Sequence, residues 1–307
     1  MKNYLRIARL DHWFKNALIL PGTIIAAILV NIPITGFWFP LLIGILSACF
    51  AASANYVINE WIDAKFDCYH PIKKNRPSVT GNVKASFVYL EYSFFIVISI
   101  VFATFISKAF LITIIWFLAM GIIYNVKPFR TKDRAFLDAL SESVNNPIRL
   151  MLGWFIVVSK PLPPSSLVLS YWLGGAFLMG VKRFAEFRFL ANPEIAQKYR
   201  RSFHFYNERN LLVSSFFYAL SSAFFLGVFL IKYRIELLLS LPFFAVLYTW
   251  YLYIGFKPNS AAQTPEHLYR ERGFLVYVLF LASVVTLLLF VNLPWLHWFL
   301  ENAFISK

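Results

Sequence analysis

The 307-residue chain is 59% hydrophobic and 19% aromatic, with a net charge of +14 and a mean hydropathy of +0.63. That composition excludes an ordinary soluble domain. The basic excess is scattered over short connections between apolar runs, with no soluble unit to read a duplex, so no nucleic-acid partner is expected. Cys49 lies inside an apolar run and Cys68 in a loop, which excludes a disulfide framework.

In chain order, MKNYLRIARLDHWFKN is basic and amphipathic and lacks a small-residue cleavage site, so no cleavable signal peptide is expected. Apolar runs long enough to cross a bilayer follow near 17–35, 38–58, 87–106, 109–125, 136–158, 165–187, 210–231, 235–254 and 274–296. The expected fold is an all-α integral membrane protein, a nine-transmembrane-helix bundle forming one polytopic domain over residues 1–307. Lys2, Arg6, Arg9 and Lys15 precede the first span, and basic residues crowd into the connections between spans 2–3, 4–5, 6–7 and 8–9. The alternate connections hold only Lys108, Lys160, Lys232 and Arg234. The positive-inside rule then places the N-terminus in the cytoplasm, the C-terminus outside, and the richly charged connections on the cytoplasmic face.

The most informative segment is NEWIDAKFD, residues 59–67, at the end of the second run. In helical geometry Asn59, Asp63 and Asp67 recur every fourth residue with Glu60 beside them. Three carboxylates at a membrane edge repel one another and lose hydration, so a cation is expected among them, a divalent metal holding a phosphorylated substrate. CYHPIKKNRPSVTGNVK follows directly, and its Lys73 and Arg76 are candidates to neutralise phosphate charge. The simpler reading, basic residues opposing a helix dipole, accounts for one or two lysines but not for the acids.

The next charged connection carries Lys127, Arg130, Lys132 and Arg134. Beyond it, Asp138, Glu142, Asn145 and Arg149 form a polar stripe in an otherwise apolar span, and Pro147 is expected to kink or break the helix. Such a stripe faces a bundle interior or a wet cavity; the simpler reading is an internal ion pair of Asp138 or Glu142 with Arg149. At the end of the sixth run Lys182, Arg183 and Glu186 stand together, followed by Arg200, Arg201 and Tyr206. Arginine forks suit phosphate monoesters, whereas lone basic pairs at span ends serve as topology anchors.

These residues resemble the UbiA superfamily of membrane prenyltransferases. NEWIDAKFD is similar to its first aspartate motif, NDxxDxxxD, with Glu60 in place of an Asp, and RPSVTG (76–81) to the segment that follows it. Where ordinary members carry a second motif, DxxxD, this chain has KRFAE (182–186). That departure resembles the branch of polyprenyl-phosphate phosphoribosyltransferases, as do Trp13-Phe14-Lys15-Asn16, HPIKKNRP (70–77) and RxSxxxY (Arg200 to Tyr206).

The resemblance implies Mg²⁺ held by Asn59, Asp63 and Asp67, with Glu60 nearby, on the pyrophosphate of phosphoribosyl pyrophosphate. Lys73, Arg76, Lys127, Arg130, Lys182, Arg183, Arg200 and Arg201 would bind substrate phosphates. Lys15, Asp138, Glu142, Arg149, Glu186 and Tyr206 would complete the site. The acceptor would be a polyprenyl phosphate lying among the spans, in a bacterial inner or plasma membrane, with homo-oligomers by analogy. The alternative is a conventional prenyltransferase acting on a prenyl diphosphate, with Asp138 and Glu142 standing in for the second acidic motif. A transporter or lipid-binding protein predicts broken helices at the membrane midplane, and the polar clusters here sit at one edge instead.

Overall fold

The computed structural model describes residues 2–33, 36–81 and 83–301. Among them there is no strand, and the helices are α1 (Lys2–Ile7), α2 (Ile19–Val30), α3 (Trp38–Asp67), α4 (Ala85–Thr104), α5 (Lys108–Asn125), α6 (Leu137–Ser143), α7 (Asn145–Val157), α8 (Ser165–Leu190), α9 (Pro193–Tyr199), α10 (Glu208–Tyr233), α11 (Leu241–Phe256), α12 (Arg272–Phe290) and α13 (Pro294–Glu301). Short 3₁₀ segments join several of them, the longest being Leu10–Leu18, which runs straight into α2.

Seven helical runs among the described residues are long and apolar enough to cross a membrane. They match seven of the nine expected spans; residues 34 and 35, at the end of the first expected span, lie outside the described residues. The expected spans 136–158 and 165–187 fall outside that group. The former is split into α6 and α7 at Val144, three residues before Pro147, whose ring nitrogen cannot donate to the Ser143 carbonyl. The latter is the 26-residue α8, which carries Lys182, Arg183, Glu186 and Arg188 toward its end.

The helices pack as two groups. α3 lies against α4 and α5, and α2 against α7, around a core that includes Ala48, Ala52, Phe110, Ile114 and Leu152. α8 packs on α10, α6 and α11 around Phe177, Val181, Tyr251 and Ile254. Between α2 and α7 the backbones nearly touch. A Cβ on Gly22 would sit 2.0 Å from the Leu150 carbonyl oxygen, and one on Gly153 would sit 2.0 Å from that of Ile19, so each helix needs glycine where the other crosses.

Both groups contain a serine clasp. In one, Ser47 on α3 and Ser99 on α4 each donate to the other's carbonyl at 2.8 Å. In the other, Ser170 on α8 donates to the Ser222 carbonyl of α10 at 3.1 Å and Ser222 returns the bond at 2.8 Å. The outer faces are apolar: Phe39, Phe105, Phe224, Leu279 and Phe290 are each at least 65% exposed. Such a surface suits acyl chains rather than water.

Candidate active site at the ends of α3 and α8

α3 runs unbroken through the acidic motif to Asp67, so Asn59, Asp63 and Asp67 follow one another at single-turn intervals. Their cations arrive from two connections. Arg130 and Lys132 come from the segment after α5, where Arg130 (φ 31°) and Phe136 (φ 64°) adopt left-handed backbone conformations that non-glycine residues take only under tertiary constraint. Arg130 Nη2 donates to Asp63 Oδ1 at 3.0 Å and Nη1 to the Asn125 carbonyl at 2.7 Å. The Lys132 ammonium pairs with Asp63 and donates to Asn59 Oδ1 at 3.0 Å and Asn125 Oδ1 at 2.7 Å. Burial pushes the Lys132 pKa down to about 8, with Asp63 opposing the shift.

Arg76 Nη1 donates to Asp67 Oδ2 at 2.5 Å, and Arg9 Nη2 donates to Glu60 Oε2 at 3.1 Å. Lys73 reaches across to α8, where its ammonium donates to Glu186 Oε1 at 2.7 Å and also meets the Tyr199 hydroxyl. Beside it His70 Nδ1 accepts the backbone N–H of Ile72 and Lys73. Burial, then the Lys73 charge, pushes His70 down to about 4, so the imidazole is neutral at physiological pH.

The α8 side is built around Arg183, which is 2% exposed. Its Nε donates to Asp138 Oδ2 at 3.2 Å and Nη1 to Glu186 Oε2 at 3.3 Å, while Nη2 bonds Glu142 and, at 3.3 Å, the Tyr124 hydroxyl. Lys182 lies 3.5 Å from Glu142 Oε1. Asp138 also accepts from Tyr206 at 2.6 Å and Ser202 at 3.1 Å. Arg200 donates to the Tyr124 hydroxyl at 2.9 Å, and its Nη1 is buried with no acceptor among the described residues.

A narrow cleft of about 30 Å³ separates the two sides, lined by Asp63, Asp67, Arg130, Lys132, Tyr199, Arg200 and Arg201 among others. A neighbouring cleft of about 120 Å³ is lined by Lys65, Lys127, Arg130, Asp133 and Arg201. Lys127 therefore lies beside the second cleft and not on the aspartates. Arg149 stands apart from both clefts: Nε donates to Asn16 Oδ1 at 2.9 Å and Nη1 to the Asn145 carbonyl at 3.1 Å. The simpler reading, an ion pair of Arg149 with Asp138 or Glu142, is not realised, because the break at Val144 leaves both acids to Arg183. Lys15, next to Asn16, lies 3.2 Å from His12 Nδ1.

Sequence reasoning missed Arg9, Tyr124, Asn125 and Tyr199 as members of the network, while the serine of RxSxxxY, Ser202, is in it. Lone tyrosines and asparagines at helix ends carry no spacing signal, and Arg9 lies 51 residues from its partner Glu60.

Could the acidic turn hold a divalent metal? Among the described residues Asp63 Oδ2 and Asp67 Oδ1 carry no hydrogen bond, and Glu60 Oε1 is buried without a partner. Among the described residues no three His, Cys, Asp or Glu side chains converge as a complete ligand set. This donor set fits Mg²⁺, which takes one or two carboxylates and completes its shell with water and substrate phosphate. Lys132 already fills the space between Asn59 and Asp63, so Asn59 joins such a shell only if that ammonium moves.

A UbiA homolog from Archaeoglobus fulgidus, solved bound to DMAPP and Mg²⁺, matches this structure with a TM-score of 0.70, covering 92% of this chain and 99% of that one at 18% identity. The structure of a digeranylgeranylglyceryl phosphate synthase matches with a TM-score of 0.60 at 16% identity, covering 94% and 96% of the two chains. These likenesses establish the fold. In sequence, a decaprenyl-phosphate phosphoribosyltransferase of Mycolicibacterium smegmatis is 27% identical over 186 residues, which is 59% of this chain and 56% of that protein. The chain thus matches just over half the length of that curated relative. The sequence pattern of the UbiA prenyltransferase family covers residues 19–268. This chain, helical without strands among its described residues and carrying seven helical runs fit to cross a membrane, belongs to the UbiA prenyltransferase family.

Proposed function

We propose that the protein transfers the 5-phosphoribosyl group of phosphoribosyl pyrophosphate to a polyprenyl phosphate, with Mg²⁺, releasing pyrophosphate. The observation that carries this reading is the state of the second half of the site. Asp138, Glu142 and Glu186 are each tied to Arg183, with Lys73 and Lys182 adding further charge, so these acids are not arranged to hold a second metal. A site with one receptive acidic turn and many fixed cations suits a donor with two phosphate groups and an acceptor with a third.

Asp63 and Asp67, with Glu60, and with Asn59 once the Lys132 ammonium moves off it, would hold the metal, which when bound neutralises pyrophosphate oxygens. Arg130, Lys132 and the unpartnered Nη1 of Arg200 line or border the same cleft and supply N–H donors to the departing pyrophosphate. Arg76 holds Asp67 in place, and Lys73 with Tyr199 fixes Glu186. As the C1–O bond to pyrophosphate breaks, its electron pair leaves with the pyrophosphate and C1 gains oxocarbenium character. An ionised oxygen of the lipid phosphate forms the new bond from the opposite face. That oxygen is already anionic, so no general base is required.

The same reading has nine membrane crossings, with α6–α7 and α8 completing the set. It places the N-terminus in the cytoplasm, the C-terminus outside, and the clefts open to the cytoplasm of a bacterial inner membrane. The alternative is isoprenoid transfer from a prenyl diphosphate. It is favoured by the DMAPP and GPP bound in the Archaeoglobus homolog.

The deciding experiment gives purified protein radiolabelled phosphoribosyl pyrophosphate, polyprenyl phosphate and Mg²⁺. Label should enter the lipid phase and be lost with a chelator and with Asp63→Ala. No transfer, but turnover of a prenyl diphosphate under the same conditions, moves the assignment to the alternative.

A further inference from the structure

Arg149 is a buried cation that pairs with no carboxylate among the described residues. It is 6% exposed, and no carboxylate among the described residues lies within 4.0 Å of its guanidinium. Its polar contacts are neutral, the Asn16 amide oxygen and the Asn145 carbonyl, and it lies 5.0 Å from the centre of the Phe117 ring. Asn16 in turn donates to Cys49 Sγ at 3.1 Å, so it adds no charge. The flanking residues Ile148, Leu150 and Leu152 are fully buried. An uncompensated guanidinium inside a helix bundle costs several kcal/mol. By contrast Arg183, also buried, touches three carboxylates.

Two further groups define the surroundings. Asn145 has a buried Oδ1 with no donor among the described residues, and its amide bonds the backbone carbonyl of Glu142, whose side chain is reached by Lys182. Lys15 follows from the neighbouring position to Asn16, on the 3₁₀ segment Leu10–Leu18, where Leu10, Phe14 and Leu18 are 40%, 54% and 37% exposed. Lys15 and, through its bond to Asn16, Arg149 thus stand at a segment with an apolar outer flank, and neither they nor Lys182 line either cleft.

We infer that Arg149, with Lys15 and Lys182, forms a second anion-binding lobe for the phosphate monoester of a membrane-embedded lipid, separate from the aspartate cleft that takes the soluble donor. The fork of Arg149 offers N–H groups to a phosphate oxygen. The apolar flank gives the tail of the same molecule a place that inorganic phosphate does not need. Assigning that lipid as the acceptor rests on the transferase reading above; the binding site itself does not.

The test measures binding of radiolabelled polyprenyl phosphate to the full-length protein in detergent, beside binding of Mg²⁺ with phosphoribosyl pyrophosphate. Arg149→Gln should weaken lipid-phosphate binding at least about 10-fold, the loss of one charge-assisted contact, and leave the soluble donor within about 2-fold. Arg149→Lys should recover part of the loss. Polyprenol, which lacks the phosphate, should bind weakly to every form, and inorganic phosphate should not compete at equal concentration.

Unchanged lipid-phosphate binding in Arg149→Gln, an equal loss for both ligands, equal binding of polyprenol, or competition by inorganic phosphate would each overturn the inference. Should Arg149→Gln fail to fold, Lys15→Gln and Lys182→Gln carry the same comparison, and a selective loss of lipid phosphate supports the lobe. Arg149-dependent lipid binding without phosphoribosyl transfer would keep the lobe and remove the donor assignment. Transfer with binding indifferent to Arg149, Lys15 and Lys182 would do the reverse.

Discussion

The ends of α3 and α8 occupy equivalent places and have opposite chemistry. Each helix is clasped to a neighbour by a reciprocal serine pair, Ser47 with Ser99 and Ser170 with Ser222, both 52 residues apart. Counting from Ser47 and Ser170, Asn59 corresponds to Lys182, Glu60 to Arg183, and Asp63 to Glu186. On α3 the acids keep oxygens unbonded among the described residues, Oδ2 of Asp63, Oδ1 of Asp67 and Oε1 of Glu60, and Asp63 and Asp67 face a cleft. On α8 the acid is spent: Glu186 accepts from Lys73, Tyr199 and Arg183. One end is left able to receive a cation, while the other is a closed frame that brings its own. The difference lies in the residues at two positions, Asn59-Glu60 against Lys182-Arg183, on otherwise similar helix pairs.

The largest expected effect breaks the frame. Arg183→Met leaves Asp138, Glu142 and Glu186 without their shared partner, and losing one side of a buried pair costs about 3–5 kcal/mol. Thermal unfolding in detergent should show a large fall in Tm, and adding Asp138→Asn should return part of it, since the two residues are in contact. Equal stability of Arg183→Met and the parent would mean that the α8 acids do not depend on this guanidinium. The receptive end should behave differently. Asp67→Asn is expected to lower transfer about 10²–10³-fold, 2.7–4 kcal/mol of barrier, the range for removing one preorganised charge-stabilising group. Its Tm should change little compared with Arg183→Met. A Tm loss as large as that of Arg183→Met would erase the distinction between a receptive end and a frame.

How much of this was legible beforehand follows from range. The acidic turn was visible because α3 is one continuous helix and its spacing places Asn59, Asp63 and Asp67 in register. The substitution of KRFAE for an acidic motif was visible for the same reason. The polar stripe misled, because it assumed a single helix: the break at Val144 sends Asp138 and Glu142 toward Arg183 and Arg149 toward Asn16, 133 residues away. The connections were the least legible. Lys132 reaches Asn59 from 73 residues away on a backbone shaped by left-handed residues, and Lys73 reaches Glu186 across 113 residues. No periodicity in the chain encodes pairings of that span.

A smaller effect sharpens the link between the two ends. His70 packs against Tyr199, lies 3.8 Å from Glu186, and is held neutral by burial next to Lys73 and Arg76. Its folded pKa of about 4 lies below the ordinary value of 6.5, so the unfolded chain takes up the proton first. Stability is therefore expected to fall as pH drops from about 6.5 toward 4, by up to about 3 kcal/mol, and then to flatten for this group. Replacing His70 with Asn, whose amide oxygen can still accept the Ile72 N–H, should flatten that limb of the Tm–pH profile without changing Tm much at pH 8. An unchanged acid limb in the variant would assign it to other groups.

The smallest expected effect falls on the rim. Arg201 is paired with Asp133 at 3.8 Å, and its side chain is 57% exposed. An exposed pair contributes at most about 1 kcal/mol and is screened by salt. Arg201→Gln should leave Tm nearly unchanged. Arg201 nonetheless lines both clefts, so as a charged rim residue it should contribute to capture of an anionic donor. The expected result is a several-fold rise in KM for phosphoribosyl pyrophosphate, the proposed donor, with kcat held, and a gap from the parent that narrows as ionic strength rises. A fall in kcat with KM unchanged would move Arg201 from the rim of the cleft into its chemistry, because only interactions made in the transition state alter kcat alone.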